Sequence, residues 1–287
     1  MPPGSDAALL REYAFSDGDF QRVRSLVQER IGIWLSDAKR ELVYGRLSRR
    51  LRVLGLSSFS QYLDLLEGGD IEELQQFCNA ITTNLTAFFR ERHHFKFLAE
   101  QLLPALERNN ADARRIRIWS AGCSTGEEPY SIAMVALETL GHLRDWDIRI
   151  LATDVDTSVL RHARLGIYSG ERLEKLDGER LLRWFERVGD SSHYRVCDEL
   201  RNLVTFKGLN LVGQWPMRGP FDVIFCRNVV IYFDRDTQRQ IVCRMANLQN
   251  TGDYLVLGHS ESLLDVSTQY RLVGQTIYRR RADGSGK

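Results

Sequence analysis

Downstream of Asn110 the chain alternates between strand-like and helix-like segments, and this alternation restricts that part of the molecule to a parallel α/β sheet. Ile116–Ser120 is strand-like and Glu127–Leu140 helix-like. Asp147–Asp154 is a strand and Asp156–Arg164 a helix. The rhythm continues with a strand at Phe221–Asn228, a helix at Asp236–Gln249 and a strand at Tyr254–Gly258. Tyr270–Arg281 reads as two strands around Gly274. His193–Leu211 breaks the pattern, because strand-like pieces at Tyr194–Cys197 and Leu203–Lys207 fit a small antiparallel insert near 190–208. That insert reads equally well as an ordinary edge hairpin or as a surface carrying partner specificity.

Upstream of Asn110 the apolar residues recur at helical spacing. Ser16-Asp17-Gly18-Asp19 resembles a capping box, and Phe20, Val23, Val27 and Ile31 follow until Gly32 stops the run. Ser36 opens a second helix with Val43, Leu47, Leu51 and Leu54 on one face. Asp70 and Glu73 open a third, carrying Leu74, Phe77 and Ile81. A further helix, around Glu91–Arg108, is interrupted near Pro104. The expected division is a loose N-terminus over 1–15, a helical domain over 16–82 and a linker with connecting helix over 83–110. The α/β domain then covers 111–281, and a tail covers 282–287.

Several function classes are disfavoured by composition. The formal net charge is +1, so nothing draws the whole chain to nucleic acid or a membrane, and any charged partner must meet a local patch. No apolar run approaches the roughly 18–20 residues of a membrane span, and the N-terminus lacks the pattern of a secretory signal. The five cysteines are scattered with no C-x-x-C pair, which points to a reducing cytoplasm and no structural zinc. His93 and His94, as neighbours on a helix, are expected on different faces, so no metal site is expected.

The segment most informative about chemistry is Gly122-Cys123-Ser124-Thr125-Gly126, between a strand and a helix. As G-x-S-x-G it would be a nucleophile elbow presenting Ser124, with His259 available downstream. Three features oppose that reading. Everything before Ile116 reads as helix, no glycine-rich oxyanion loop is present, and Glu127 with Glu128 would raise the energy of an oxyanion. As a cofactor turn the segment fits better: Gly122 and Gly126 allow close approach of backbone to ligand, and Asp154 ends the next strand, placed for a ribose diol. Asp154 follows Gly126 by 28 residues, longer than the dinucleotide spacing of about 20, and G-x-G-x-x-G is absent. NAD is therefore disfavoured. The acidic pair suits a cationic amino group, which makes S-adenosyl-L-methionine the natural cofactor, although the pair also serves as a partner for the helix dipole. Separately, Lys39, Arg40, Arg46, Arg49, Arg50 and Arg52 outweigh Glu41, and Arg46, Arg49 and Arg50 can share a helix face. That face suits a Glu-rich helix or a nucleic acid, or is simply solvated.

Taken together, TTNLTAFFRE (Thr82–Glu91), WSAGCSTGEEPYS (Trp119–Ser131), ATDVD (Ala152–Asp156), Asn210–Leu211 and FDVIFCRNVVIYF (Phe221–Phe233) closely resemble the chemotaxis receptor methyltransferases of the CheR type. The resemblance runs from about Phe15 to Arg281. It implies an α/β, Rossmann-like class I S-adenosylmethionine-dependent methyltransferase domain with a mostly parallel sheet, an N-terminal all-helical domain and a small antiparallel β insert. It implies methyl transfer to glutamate side chains of chemoreceptors, forming methyl esters for sensory adaptation and releasing S-adenosyl-L-homocysteine. Carried over residue by residue, Asn84, Thr86, Arg90, Glu127 or Glu128, Asp154, Asn210, Leu211, Arg227 and Asn228 are implied to bind the cofactor, and the glycine turn adds Gly122. From the reaction's own needs Arg90 and Tyr232 are expected to position the reacting groups, and from the charge pattern Arg46, Arg49, Arg50 and Arg52 are expected to face the cytoplasmic helical domain of the receptor. In some members the insert docks a peptide at the receptor C-terminus. A cytoplasmic monomer is expected, with no nucleic acid and no membrane insertion. A glutamate carboxylate is already ionised at neutral pH, so positioning suffices and no general base is needed. The competing readings are a serine hydrolase using Ser124 and a non-catalytic binding module.

Overall fold

Helices α1 (Asp17–Ile31), α2 (Arg40–Leu54), α3 (Phe59–Glu67) and α4 (Ile71–Ile81) build the first of two units, whose boundary falls between Thr82 and Thr83. The computed structural model describes residues 11–143 and 145–282. The expected loose N-terminus and tail therefore lie outside the described residues except at 11–15 and 282. Within 11–15, Phe15 is buried and stacks its ring 4.4 Å from that of Phe59, so order begins before residue 16. Ser16 and Asp19 cap α1 reciprocally, and α1 and α2 both end on a left-handed glycine, Gly32 and Gly55. Helix α3 is absent from the sequence reading. It is a nine-residue element, too short for a periodicity window, yet Ser58 caps it and Phe59, Tyr62, Leu63 and Leu66 bury one face.

The second unit opens with α5 (Arg92–Phe97) and α6 (Leu103–Asn109). The expected interruption near Pro104 is a π turn over Leu98–Leu102, closed by the Leu103 N–H on the Leu98 carbonyl. Pro104 has no N–H to give, and the wide turn keeps its ring off the carbonyl four residues back. There follow β1 (Arg115–Ala121), α7 (Glu127–Leu140), β2 (Asp147–Asp154), α8 (Thr157–Leu165), β3 (Ile167–Ser169), α9 (Gly170–Leu173), α10 (Gly178–Trp184), β4 (Phe185–Arg187), β5 (His193–Val196), α11 (Asp198–Leu203), β6 (Val204–Gly208), β7 (Val223–Cys226), α12 (Arg235–Ala246), β8 (Tyr254–Leu257), β9 (Tyr270–Gly274) and β10 (Ile277–Arg280).

The main sheet has seven strands in the order β6-β2-β1-β7-β8-β10-β9. Its first five are parallel, and β10 runs antiparallel between β8 and β9. All four residues of β7 are buried, as expected of a central strand covered on both faces. This is the Rossmann-like, mostly parallel α/β sheet that the alternation required. Among the described residues no helix is long and apolar enough to cross a membrane.

The antiparallel insert is present but differs from the expected one. It is the three-stranded sheet β3-β5-β4, spanning 167–196 rather than 190–208. Only the first expected piece belongs to it. The second, Val204–Gly208, is an edge strand of the main sheet, parallel to β2 in the register Ile150↔Val204 to Asp154↔Gly208. Val204 and Phe206 alternate inward, and period-two burial reads the same in a parallel edge strand as in a hairpin. Helix α11 separates the two pieces and is not apparent in the sequence.

Candidate functional site

Strand β1 is the point where the sheet order reverses. The chain moves from β1 to β2 and β6 on one side, then returns to β7 and β8 on the other. A crevice at the carboxyl ends of β1 and β7 is the expected ligand site of such a sheet. The glycine turn lies at that end. The Gly122 and Cys123 N–H groups both donate to the Thr153 carbonyl, at 2.7 and 2.9 Å. Gly122 adopts φ 81°, and a Cβ there would lie 2.3 Å from Cγ2 of Val229. Gly126 adopts φ 99°, and its Cβ would lie 2.8 Å from the Tyr168 hydroxyl. Both glycines therefore make room for neighbouring protein atoms.

Asp154 ties the turn to β2. Its carboxylate accepts the Ser124 N–H at 2.8 Å and the Asp156 N–H at 3.0 Å. Burial pushes the Asp154 carboxyl up to about 6, against the pull of those hydrogen bonds. The segment before α5 latches to the same place: Asn84 Nδ2 donates to Asp156 at 2.7 Å, and the Ser124 hydroxyl donates to the Asn84 carbonyl at 3.1 Å. Ser124 is thus occupied by backbone and is bonded to no imidazole among the described residues. Ser124→Ala should leave methyl transfer within about fivefold, since a single hydrogen bond is worth about 1 kcal/mol or less here. A hydrolytic activity that disappears with Ser124→Ala would restore the elbow reading.

Glu127 and Glu128, alternatives in the sequence, separate in space. Glu127 accepts from Thr125 Oγ1 at 2.6 Å and pairs with Arg172. Glu128 accepts from Ser120 Oγ at 2.8 Å, within β1, and from Arg227 Nη1 at 3.0 Å, just past β7. Glu128 is therefore the carboxylate at the crossover between β1 and β7. Burial raises its carboxyl, and Arg227 opposes that shift. Arg227 is itself buried; its Nη2 donates to the Arg90 carbonyl and lies 3.4 Å from Glu91.

Two acids that the sequence reading does not single out organise the site. Glu91 accepts the His259 N–H at 3.1 Å and its Nδ1 at 3.0 Å. Burial alone would raise its carboxyl, but His259 and Arg227 outweigh that and bring it down to about 2. Glu261, 3% exposed, accepts four backbone N–H groups, from Gly258 (2.6 Å), Asn228 (2.7 Å), Val229 (2.9 Å) and Ile231 (3.2 Å). Asn228 is held at φ 58° by this clamp. Glu261 lies far from every segment quoted for the resemblance, and a run of buried N–H groups is invisible in sequence.

The remaining candidates are dispersed more widely. Arg90 is partly buried, and its Nη1 donates to the Leu85 carbonyl at 2.7 Å. Thr86 and Tyr232 are half-buried, Tyr232 in a short 3₁₀ turn after Asn228. Asn210 Oδ1 accepts the Val212 N–H at 3.1 Å just beyond β6, and the Leu211 carbonyl accepts from Trp215 and Arg244. The expected four-arginine face of α2 is largely consumed within the first unit. Arg46 donates to the Ile81 and Thr82 carbonyls at 2.6 and 2.8 Å, capping α4. Arg50 pairs with buried Glu73 at 2.9 Å, and Arg52 reaches Glu12 at 3.0 Å. Arg49 is exposed and pairs with no carboxylate among the described residues. The argument against a metal from adjacent histidines also fails on geometry. The His93 and His94 rings lie 4.0 Å apart, and with Glu91 they bring ligand-type atoms within 4.8 Å of one another. At the first turn of a helix no preceding turn separates two such rings. Glu91, however, is already shared between Arg227 and His259.

Comparison with known proteins agrees with this geometry. Residues 18–82 match the family model described as CheR methyltransferase, all-alpha domain, and residues 84–279 match CheR methyltransferase, SAM binding domain. A chemotaxis protein methyltransferase of Escherichia coli is 46% identical, covering 99% of each chain. Chemotaxis protein methyltransferase 2 of Pseudomonas aeruginosa is 47% identical over 93% of this chain and 95% of its own. With both family models matched in order and the switch-point site assembled, the chain belongs to the CheR methyltransferase family.

Proposed function

We propose that the protein transfers methyl groups from S-adenosyl-L-methionine to glutamate side chains of chemoreceptors, in the cytoplasm. The observation that carries this reading is the buried Glu128–Arg227 pair, which joins the start of α7 to the end of β7, with Asp154 ending the adjacent strand β2. The donor set suits the cofactor. Asp154 offers further lone pairs to ribose hydroxyls, Glu128 is an anionic partner for an ammonium, and Arg227 Nε is buried with no hydrogen-bond partner, a donor left for a carboxylate. Asn84, Thr86, Asn210, Leu211 and Asn228 complete the walls. When bound, S-adenosyl-L-methionine supplies a methyl group already activated by its sulfonium. The chain's residues have only to align the glutamate carboxylate and exclude water, which can contribute about 7–11 kcal/mol. Arg90, with the fork of its guanidinium, orients that carboxylate, and Tyr232 flanks it. On the receptor side we assign docking to the exposed stripe Leu42, Arg49 and Val53 of α2, which share a helix face. A monomer suffices for this chemistry, and the β3-β5-β4 insert is the surface for any receptor C-terminal peptide.

Cofactor affinity should depend on pH through Asp154. Its carboxyl is raised to about 6, so its protonated form stabilises the fold at low pH and that contribution is lost as pH rises through 6. Ribose hydroxyls donate to the ionised form, so binding favours ionisation. Affinity for S-adenosyl-L-homocysteine should weaken about tenfold from pH 7 to pH 5 in the wild type and stay flat in Asp154→Asn. Calorimetric titration measures this, and an Asp154→Asn variant that binds like wild type at pH 7 would remove Asp154 from the cofactor site. The function itself is tested by radiolabelled methyl transfer to receptor-containing membranes. A folded protein that binds S-adenosyl-L-homocysteine but labels no receptor would leave the binding-module reading in its place.

A further inference from the structure

Strands β9 and β10 form a hairpin at the edge of the main sheet opposite β6, and one face of it gathers arginine. Arg271 and Arg279 are direct cross-strand partners. Arg281 continues the ladder two residues past Arg279 on the same face, its N–H on the Gln269 carbonyl. Like charges placed directly opposite in an antiparallel pair destabilise it, so this arrangement is costly unless an anion is present. Among the described residues none of the three forms an ion pair with a carboxylate. Asp253 feels the charge of Arg279, but its carboxylate accepts the Asn250 N–H, and burial pushes it up to about 7, which weakens it as a counter-ion.

The surroundings are shaped to hold these guanidinium groups in place. Arg279 Nε donates to the Gly252 carbonyl at 3.1 Å, which leaves its outer nitrogens to other partners. Gly252 adopts φ 98°, and a Cβ there would come within 3.3 Å of Arg279 Nη2. Arg280 turns to the other side, is buried, and bonds the Ala246 and Arg281 carbonyls. Thr251, Gly252 and Arg271 together with Arg279–Ala282 line a cavity of about 500 Å³, with no acidic and no aromatic side chain in its wall.

We propose that this cavity is a binding site for a small oligophosphate anion, separate from the methyl-transfer site. Arginine forks match phosphate oxygens two at a time, and three forks on adjacent strands can engage two neighbouring phosphates. The volume falls in the range of small-molecule sites. No aromatic side chain lines the cavity, and Arg279 itself lies over the Tyr254 ring, 5.8 Å from its centroid, so recognition rests on the phosphates and not on a base. Orthophosphate, which one fork can satisfy, should therefore bind less well than pyrophosphate.

The test is calorimetric titration of the full chain with inorganic pyrophosphate, orthophosphate and sulfate at fixed ionic strength. The wild type is compared with the double variant Arg271→Gln/Arg279→Gln and with Arg271→Lys/Arg279→Lys. The expected result is saturable, one-to-one pyrophosphate binding, at least tenfold tighter than orthophosphate. It should weaken at least tenfold in the glutamine variant and by an intermediate amount in the lysine variant, which keeps the charge but not the fork. Both variants change exposed side chains, and unaltered affinity for S-adenosyl-L-homocysteine will confirm that they are folded. Absent or non-saturating pyrophosphate binding, equal affinity for sulfate, or equal pyrophosphate binding by the glutamine variant would each overturn the proposal.

Discussion

Arg227→Met should destabilise the methyltransferase unit by about 3–5 kcal/mol and abolish cofactor binding, the largest effect expected of any single change described above. Arg227 is 5% exposed and lies between two carboxylates, Glu128 at 3.0 Å and Glu91 at 3.4 Å. Methionine fills much of the same volume but leaves Glu128 without its cation and Glu91 with His259 alone. An uncompensated buried charge is far costlier than a lost surface pair. Glu128 suffers more, because burial already raises its carboxyl, whereas Glu91 keeps His259. Adding Glu128→Gln to Arg227→Met should therefore recover part of the loss, a coupling of about 0.5–3 kcal/mol. Urea denaturation of the two single variants and the double variant measures it. Strict additivity would mean that the Arg227–Glu128 contact carries no energy.

Glu261→Ala should reduce kcat/KM by about a hundredfold, the scale expected when a catalytic segment shifts by about 1 Å. The four N–H groups that converge on Glu261 come from Gly258 and from the turn carrying Asn228, Val229 and Ile231. Only a carboxylate offers enough acceptor sites on two oxygens. Glu261→Gln replaces one oxygen with an amide NH₂, a donor facing donors, so it should resemble Glu261→Ala more than the wild type. Glu261→Asp shortens the side chain by one methylene, and its carboxylate would no longer reach all four donors. Steady-state kinetics with varied cofactor, alongside thermal melts, separates the two possible roles. A variant with lowered melting temperature but normal kcat and KM at a permissive temperature would show that Glu261 only supports the fold.

These two residues mark how far sequence reading extends. Arg227 lies in a recognisable strand-end segment together with its neighbour Asn228. Glu261 lies in a loop whose composition is unremarkable, and its partners are backbone groups from two turns. The same division separates α1, whose capping box and stop glycine are written locally, from α3, which is short and stabilised by the packing of Phe59 and Tyr62. It also separates the glycine turn, whose position is legible, from the close approach of Val229 and Tyr168 to its glycines, which comes from distant parts of the chain.

The order of helices and strands, the cofactor class implied by an acidic turn without a third glycine, and the family are all readable from the chain alone. They depend on local propensity, periodicity and contiguous motifs, which are properties of neighbours along the sequence. Packing in three dimensions is what joins Val204–Gly208 to the parallel sheet and brings Glu128, not Glu127, to Arg227. Packing likewise spends Arg46 and Arg50 on a helix end and a buried acid instead of leaving them to face a partner. Each of those outcomes depends on which residue lies across from another once the strands and helices meet. A charge or a period-two pattern reads the same in sequence whether its eventual partner is solvent, a carbonyl or an ion.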